Sequence, residues 1–91
     1  MIIDIHLDFE TYRDLDVRDV GAWAYAMHPS CEVLCASYKI GQGDLQIWDR
    51  REPVTRLRQL FYYVGNGALV HAHNATFEYA VWKYATNWPE L

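Results

Sequence analysis

The chain has 91 residues, 52% of them hydrophobic, with seven Tyr, four Trp and three Phe. This composition excludes intrinsic disorder and predicts one small folded domain over residues 1–91. The formal net charge of −4 argues against a module that holds duplex DNA mainly through its phosphates, but not against an enzyme whose metal ions supply positive charge. Because the sequence has neither a membrane-spanning run nor a signal-peptide pattern, a cytoplasmic protein is expected.

The N-terminal segment predicts a β-strand with two different faces. From position 3 to position 10, apolar and polar side chains alternate strictly, which is the period of a strand. The apolar face holds Ile3, Ile5, Leu7 and Phe9, and the polar face holds Asp4, His6, Asp8 and Glu10. Such a strand needs a core on one side and solvent, a partner or an uncovered edge on the other.

The next segments predict a loop and a hairpin. Residues 11–32 are mixed in character and contain Gly and Pro, which indicates a long loop with one short helical turn. Glu32–Ile40 is rich in strand-forming residues and is followed by Gly41-Gln42-Gly43. This pattern predicts a strand that turns back into another over Asp44–Trp48.

The second half of the chain predicts two helices on either side of a short strand. Pro53 opens the first helix and Gly65 ends it. Its apolar residues recur at helical spacing at Val54, Leu57, Leu60, Phe61 and Val64. After a turn, residues 68–72 form the strand, and Asn74 is placed as the N-cap of a helix that Pro89 ends. The apolar face of that helix is expected to carry Phe77, Val81, Tyr84 and Ala85.

The predicted element order is β-β-β-α-β-α. Three antiparallel strands, followed by a helix that crosses over to a strand beside the first, satisfy this order. The sequence therefore predicts an α/β fold with a mixed sheet.

Three carboxylates are candidates for a metal site. Asp8 and Glu10 lie two residues apart on one strand and project from the same face, where Mg²⁺ would relieve their repulsion. The alternative is a solvated polar face, which Asp4 and His6 continue. Glu78 falls in the first turn of the last helix, near the carboxyl end of the first strand; there it would also favour the helix dipole without any metal.

Two motifs together resemble a known family. Asp8-Phe9-Glu10-Thr11 resembles the first motif of the DEDD-type 3′–5′ exonucleases, and Asn74-Ala75-Thr76-Phe77-Glu78 resembles the second. The residues between them resemble the proofreading domains of phage family A (Pol I-like) DNA polymerases at Asp14-Leu15, Gly21, Tyr25-Ala26, His28-Pro29, Glu32-Val33-Leu34 and Tyr38. The resemblance covers nearly all of the chain, in the same order.

The resemblance implies an RNase H-like fold and a two-metal hydrolysis of 3′-terminal nucleotides of single-stranded DNA. The catalytic residues and metal ligands would be Asp8, Glu10 and Glu78, holding Mg²⁺ or Mn²⁺, with Asp8 bridging the ions. The substrate contacts would come from Thr11, His73, Asn74 and Phe77. Tyr12 would be available to stack on a base, whereas Phe9 is expected in the core. The setting would be the cytoplasm of a phage-infected or prophage-bearing bacterium.

The sequence departs from the family pattern at two points. Glu78 stands where the family usually has Asp. The third motif, Tyr-x-x-x-Asp or His-x-x-x-x-Asp, is absent from the 91 residues. We therefore expect a fold truncated before its final strand and helix, and an isolated chain that is weak or inactive. A polymerase domain or a second chain would supply the missing motif.

Two further hypotheses about the function of the chain remain open. The chain is alternatively a noncatalytic RNase H-like interaction module, or one half of a split exonuclease. Clustered basic residues, expected to form a solvated face, are alternatively a contact for single-stranded DNA or a polymerase domain. They are Arg50, Arg51, Arg56 and Arg58.

Overall fold

The computed structural model describes residues 2–13 and 21–91. Part of the predicted loop, residues 14–20, lies outside the described residues, and so does the Asp14-Leu15 pair of the resemblance. In the described segments, no helix has both the length and the apolar character needed to cross a bilayer.

Four strands form one mixed sheet. They are β1 (Asp4–Tyr12), β2 (Glu32–Ile40), β3 (Gln46–Asp49) and β4 (Leu69–His71). The order across the sheet is β3-β2-β1-β4, with β1 antiparallel to β2, β2 antiparallel to β3, and β4 parallel to β1. The predicted α/β class and the return of the fourth strand beside the first are therefore confirmed.

Three helices accompany the sheet. They are α1 (Ala22–Met27), α2 (Arg58–Gly65) and α3 (Ala75–Ala80). One turn of 3-10 helix, Val54–Leu57, leads into α2, and a π-helical turn, Val81–Ala85, continues α3. Helix α2 ends at Gly65 as predicted, and Asn74 caps α3 as predicted.

The prediction of one helical turn within residues 11–32 was right in kind, but the turn is a six-residue helix, α1, so the order gains an element between the first two strands. Its buried positions, Tyr25 and Ala26, are too few to produce a helical period in the sequence. The last helix ends at Ala85, before Pro89, and Tyr84 is 41% exposed instead of buried. A π-helical turn has more residues per turn than an α-helix, so it rotates Tyr84 away from the face that a 3.6-residue period predicts.

The core lies on one face of the sheet. The register places Phe9 opposite Ala36 and Ala36 opposite Trp48, so these three buried side chains form a row across three strands. The helices cover this row with buried residues of the 3-10 turn, of α2 and of the π-helical turn, namely Leu57, Leu60, Val81 and Trp82. The predicted apolar face of β1 is confirmed.

The other face of the sheet is open over the described residues. All four polar side chains of β1 are exposed there, namely Asp4, His6, Asp8 and Glu10. The register continues the face across β2 and β3, with Ser37 between Asp8 and Ile47. Because this face is open, every second residue of β1 is polar although β1 lies in the middle of the sheet.

A cluster of aromatic rings closes the core near the carboxyl end of β1. The ring of Trp88 lies 5.3 Å from Phe9, 5.5 Å from Trp48, 5.4 Å from Phe61 and 4.9 Å from Trp82, measured between centroids. The indole N–H of Trp82 donates to the carbonyl of Pro89 at 2.6 Å. The C-terminal segment is thereby held against the core.

Replacing Trp88 is expected to lower stability strongly. Trp88→Ala removes a buried ring from four aromatic neighbours, and we expect the free energy of unfolding to fall by about 3–5 kcal/mol. Urea denaturation followed by far-UV circular dichroism measures the change. The control is Tyr62→Ala, because Tyr62 is 62% exposed on α2 and should contribute less than about 0.5 kcal/mol. Equal losses in the two variants would contradict the packing role of Trp88.

Candidate active site

Strand β1 extends past its parallel neighbour. Strand β4 ends opposite His6, whereas β1 continues to Tyr12. The carbonyl of Ile3 accepts the N–H of Leu69, so the odd-numbered residues of β1 direct their backbone groups toward β4. The N–H of Phe9 therefore points to the space beyond the end of β4, where a buried donor needs another acceptor.

Helix α3, which follows β4, supplies that acceptor. Oε2 of Glu78 accepts the Phe9 N–H at 2.9 Å. The helix starts at the right place because Oδ1 of Asn74 accepts the N–H of Phe77 at 3.3 Å and caps the first turn. Glu78 is 6% exposed, and it is the one buried charged side chain among the described residues. The side chain of Glu78, in the second motif, thus contacts the backbone of Phe9, in the first motif.

The environment of Glu78 favours its protonated form. Burial raises the pKa of the Glu78 carboxyl from 4.5 to about 7, although the Phe9 N–H opposes the shift. The charge of Asp8, a hydrogen bond with Asp8 and the charge of Glu10 raise the pKa further. The three predicted carboxylates therefore interact electrostatically, and a cation placed among them would relieve the repulsion.

Asp8 and Glu10 lie on the open face, next to a break in the register of the sheet. Glu10 pairs with Cys35 but Thr11 pairs with Val33, so β2 has one extra residue, a β-bulge, at this point. Bulges bend a strand and are common beside active sites, where they redirect side chains. The bulge marks the end of β1 where the two exposed carboxylates stand beside buried Glu78.

The donor chemistry fits a hard divalent cation. All three side chains offer carboxylate oxygens, the ligands that Mg²⁺ and Mn²⁺ prefer. Over residues 2–13 and 21–91, however, no three His, Cys, Asp or Glu side chains are arranged as a ready metal-binding group. The ligand types are present, and a bound ion would have to draw the carboxylates together.

The predicted substrate residues occupy different surroundings. Thr11 lies within hydrogen-bond distance of the Tyr25 hydroxyl, with 3.2 Å between the oxygens, and the Tyr25 ring is 5.7 Å from that of half-buried Phe77. Asn74 is used as the helix cap, a structural role. His73 lines a groove of about 460 Å³ on the open face together with Asp8. Tyr25, on α1, contacts both Thr11 and Phe77 and so links these two residues.

Sequence reasoning assigned no role to Tyr25. Tyr25 is 7% exposed and contacts Thr11, Phe77 and, through its ring face at 5.5 Å, Arg13. Only the resemblance drew attention to this residue, because no periodicity marks a six-residue helix. Tyr25 positions the end of β1 against α3.

Other polar residues form pairs that do not include Asp8, Glu10 or Glu78. The His71 ring is stacked on the His6 ring at 5.1 Å, and its Nε2 lies 2.8 Å from Oδ1 of Asp4. Three of the four clustered arginines form salt bridges with neighbouring acids, Arg50 with Glu32, Arg51 with Asp49 and Arg56 with Glu52. These pairs favour the solvated-face interpretation of the arginine cluster over the nucleic-acid interpretation.

Comparison of the chain with protein-family models, with curated proteins and with solved structures found no match.

The raised pKa of Glu78 predicts an unusual dependence of stability on pH. The folded state holds the Glu78 proton more tightly than the unfolded state, so the stabilisation is fully present below about pH 4.5 and is lost as the pH rises through about 7. Relative to Glu78→Gln, which stays neutral, the free energy of unfolding of the wild type is expected to fall by roughly 2–3 kcal/mol over this interval.

Urea denaturation of both proteins at about pH 4.5 and about pH 7.5 measures the difference. Glu78→Gln can still offer an acceptor to the Phe9 N–H, so the comparison isolates the charge. Parallel pH profiles in the two proteins would contradict the assignment.

Proposed function

We propose that this chain is the N-terminal part of an RNase H-like domain of the 3′–5′ exonuclease type, acting on the 3′ ends of single-stranded DNA. The observation that carries the proposal is the placement of Glu78 beside Asp8 and Glu10 through its hydrogen bond to the Phe9 N–H. Residues far apart in the sequence, which the resemblance names as parts of one site, meet at one end of β1. The cap of α3 is Asn74, so Glu78 is not needed to cap the helix.

The three carboxylates would hold divalent metal ions in this proposal. Bound Mg²⁺ or Mn²⁺ would supply an activated water and would stabilise the charge that develops in phosphodiester cleavage. The chain fixes one ligand in advance, because accepting the Phe9 N–H with Oε2 orients the Glu78 carboxylate and leaves its second oxygen for Asp8 or for an ion. Asp8 and Glu10 are exposed, so they can adjust to a ligand.

Residues around the carboxylates would receive the end of the DNA strand. Tyr12 follows Glu10 by two residues on β1 and is 61% exposed, so its ring is available to a base on the open side. Thr11 is held by Tyr25, and His73 lines the groove next to Asp8. A polymerase domain or a second chain would complete the site with the third motif and would deliver the frayed 3′ end.

A noncatalytic interaction module is the second candidate. It is favoured by large apolar side chains on the sheet and around it, since Leu45, Ile47 and Leu69 are 65%, 58% and 51% exposed. An adaptor would use this surface to bind a partner and would retain its acids only for solubility. A tight protein partner that is insensitive to Asp8→Ala and Glu10→Ala would favour this candidate.

Metal-dependent nuclease activity tests the proposal. A 5′-labelled single-stranded oligonucleotide is incubated with the chain, with and without Mn²⁺ or Mg²⁺ and with the partner segment where one is available. Shortening from the 3′ end is expected to fall by at least about 10²-fold in Asp8→Ala, because a ligand of the reacting centre is lost. Asp44→Ala, a change of an exposed acid in the connection between β2 and β3, is the matched control and should keep full activity. A measurable rate that is equal in the wild type and in Asp8→Ala would exclude the site.

Metal binding can be tested even if the isolated chain is inactive. At about pH 7.5, Mn²⁺ is expected to raise the thermal midpoint of the wild type, because an ion among the carboxylates binds only the folded state. The shift should vanish in Asp8→Asn and in Glu78→Gln but persist in Asp44→Ala. A shift that is equal in all four proteins would place the ion elsewhere and would overturn the proposed ligand set.

A further inference from the structure

Two histidines face each other across β1 and β4 on the open face of the sheet. The parallel register places His6 directly opposite His71, and both side chains are exposed. Their rings are stacked, with 5.1 Å between the centroids and 24° between the planes. Residues directly opposite on neighbouring strands project from the same face, so the fold itself holds the two imidazoles together. We refer to His6 and His71 as the histidine pair.

The hydrogen bonds of the histidine pair leave ring nitrogens available. Nε2 of His71 lies 2.8 Å from Oδ1 of Asp4, and because a carboxylate only accepts, Nε2 is the donor. In the neutral ring, Nδ1 of His71 is then able to bind a metal ion. A carboxylate that orients a histidine is the usual outer partner of a metal-binding imidazole, so Asp4 fits a positioning role.

The charged groups around the histidine pair favour a cation over an anion. On β1, Asp4 and Asp8 lie two residues before and two residues after His6, and both project from the same face as His6. On β2, Lys39 lies opposite His6 in the register. Two carboxylates against one ammonium leave a negative balance around the pair, in a chain whose net charge is −4. This balance attracts a positive ion and disfavours an anionic ligand.

The groove on the open face gives the pair room for an ion and its waters. This groove of about 460 Å³ is lined by His6, His71 and His73. Exposed side chains can rotate, so the two imidazoles can converge on an ion at about 2.0–2.1 Å from each nitrogen. Residues 2–13 and 21–91 contain no group of three His, Cys, Asp or Glu side chains that could hold an ion. The pair would therefore supply two ligands, and water would supply the others.

Imidazole nitrogens select a different class of ion from the carboxylates of β1. Mg²⁺ prefers oxygen ligands, whereas imidazole suits Ni²⁺, Cu²⁺ and Zn²⁺, which bind more tightly than Mn²⁺ to most nitrogen sites. Strand β1 therefore presents two donor sets on one face. The nitrogen donors lie beside β4, and the oxygen donors of Asp8 and Glu10 lie beyond its end.

We infer that the histidine pair binds one late transition-metal ion, Ni²⁺, Cu²⁺ or Zn²⁺, and that Asp4 positions His71 for it. The pair is the last of three register pairs between β1 and β4, so the ion would link the two strands where β4 ends. The chain then passes through Asn74 into α3, so the link would stabilise the strand that precedes this helix. The inference does not depend on the proposed nuclease activity.

Calorimetric titration of the intact chain with Ni²⁺ tests the ligands. His6→Gln and His71→Gln should each lower the affinity by at least about 10²-fold, since losing a ligand costs no less than losing its outer partner. Asp4→Ala, which removes that partner, should lower the affinity by roughly tenfold. The matched control is His28→Gln, a change of an exposed histidine that lies outside the groove and contacts Ser30; it should leave the affinity unchanged.

Unchanged Ni²⁺ affinity in either His6→Gln or His71→Gln would overturn the inference. Circular dichroism of each variant in EDTA separates loss of the ion from loss of the fold. Electron paramagnetic resonance of the Cu²⁺ complex gives an independent test of the donors. The wild type should show hyperfine coupling to two imidazole nitrogens, and His71→Gln should show fewer. A wild-type spectrum with oxygen donors alone would also overturn the inference.

The stabilising role has its own readout. Excess Ni²⁺ should raise the thermal midpoint of the wild type and slow amide exchange in β4, because the ion binds only the folded state. His71→Gln should show neither effect. A thermal midpoint that does not move although Ni²⁺ binds would reject the link between the strands. Stabilisation by inorganic phosphate that is lost in Lys39→Gln, with none by Ni²⁺, would make the groove an anion site and overturn the inference.

Ni²⁺ and Mn²⁺ separate the histidine pair from the proposed active site. Asp8→Asn should remove the Mn²⁺-dependent rise in thermal midpoint but keep Ni²⁺ binding, and His71→Gln should do the reverse. Ni²⁺ binding that is lost in Asp8→Asn but kept in His71→Gln would assign the ion to the carboxylates and reject the histidine site. Ni²⁺ binding that needs the pair, in a protein with no Mn²⁺ response and no nuclease activity, would support the histidine site and leave the proposed function without support.

Discussion

The hydrogen bond of the Phe9 N–H sets how strand β1 and helix α3 meet. The N–H points past the end of β4 into a part of the fold that excludes water, and Glu78 satisfies it from a helix 69 residues further along the chain. The bond fixes the first turn of α3 against β1 and, with it, the spacing between two acidic motifs. A buried donor without a partner costs about 1–3 kcal/mol, so folding itself selects this arrangement. The same bond therefore serves the stability of the sheet and the geometry of the candidate site.

Meeting that requirement with a carboxylate has an electrostatic cost. An amide side chain would accept the same hydrogen bond without charge, yet the chain places an acid where burial, Asp8 and Glu10 all oppose ionisation. Groups with strongly perturbed pKa values are frequent at functional sites. Catalysis and ion binding require charged groups in environments that are unfavourable for the stability of the fold. The metal site proposed for Asp8, Glu10 and Glu78 would offset this cost, because a bound cation favours the ionised carboxylates.

The sequence predicted those parts of the fold that local pattern controls. Alternation defined both faces of β1, and a short polar side chain after a strand marked Asn74 as a cap; both were confirmed. Local pattern indicated a short helical turn in the loop after β1, but not the extent of α1, which is too short to show a period, and it did not predict the turn that exposes Tyr84. It indicated that Glu78 would lie near the end of the first strand, but not that it would be bonded to Phe9, because that contact depends on β4 ending before β1.

The aromatic core also divides the tryptophans into two optical populations. Trp48, Trp82 and Trp88 lie together in the core, and the Trp82 and Trp88 rings are only 4.9 Å apart and nearly perpendicular. Indoles that close couple their transitions and give strong near-ultraviolet dichroism, so this signal reports on the core around Phe9. Trp23 lies apart and partly in water, where its emission shifts to the red and small quenchers reach it first. Near-ultraviolet circular dichroism therefore reports on the packing of the core behind β1. Quenching of tryptophan fluorescence reports on the exposure of Trp23 on α1.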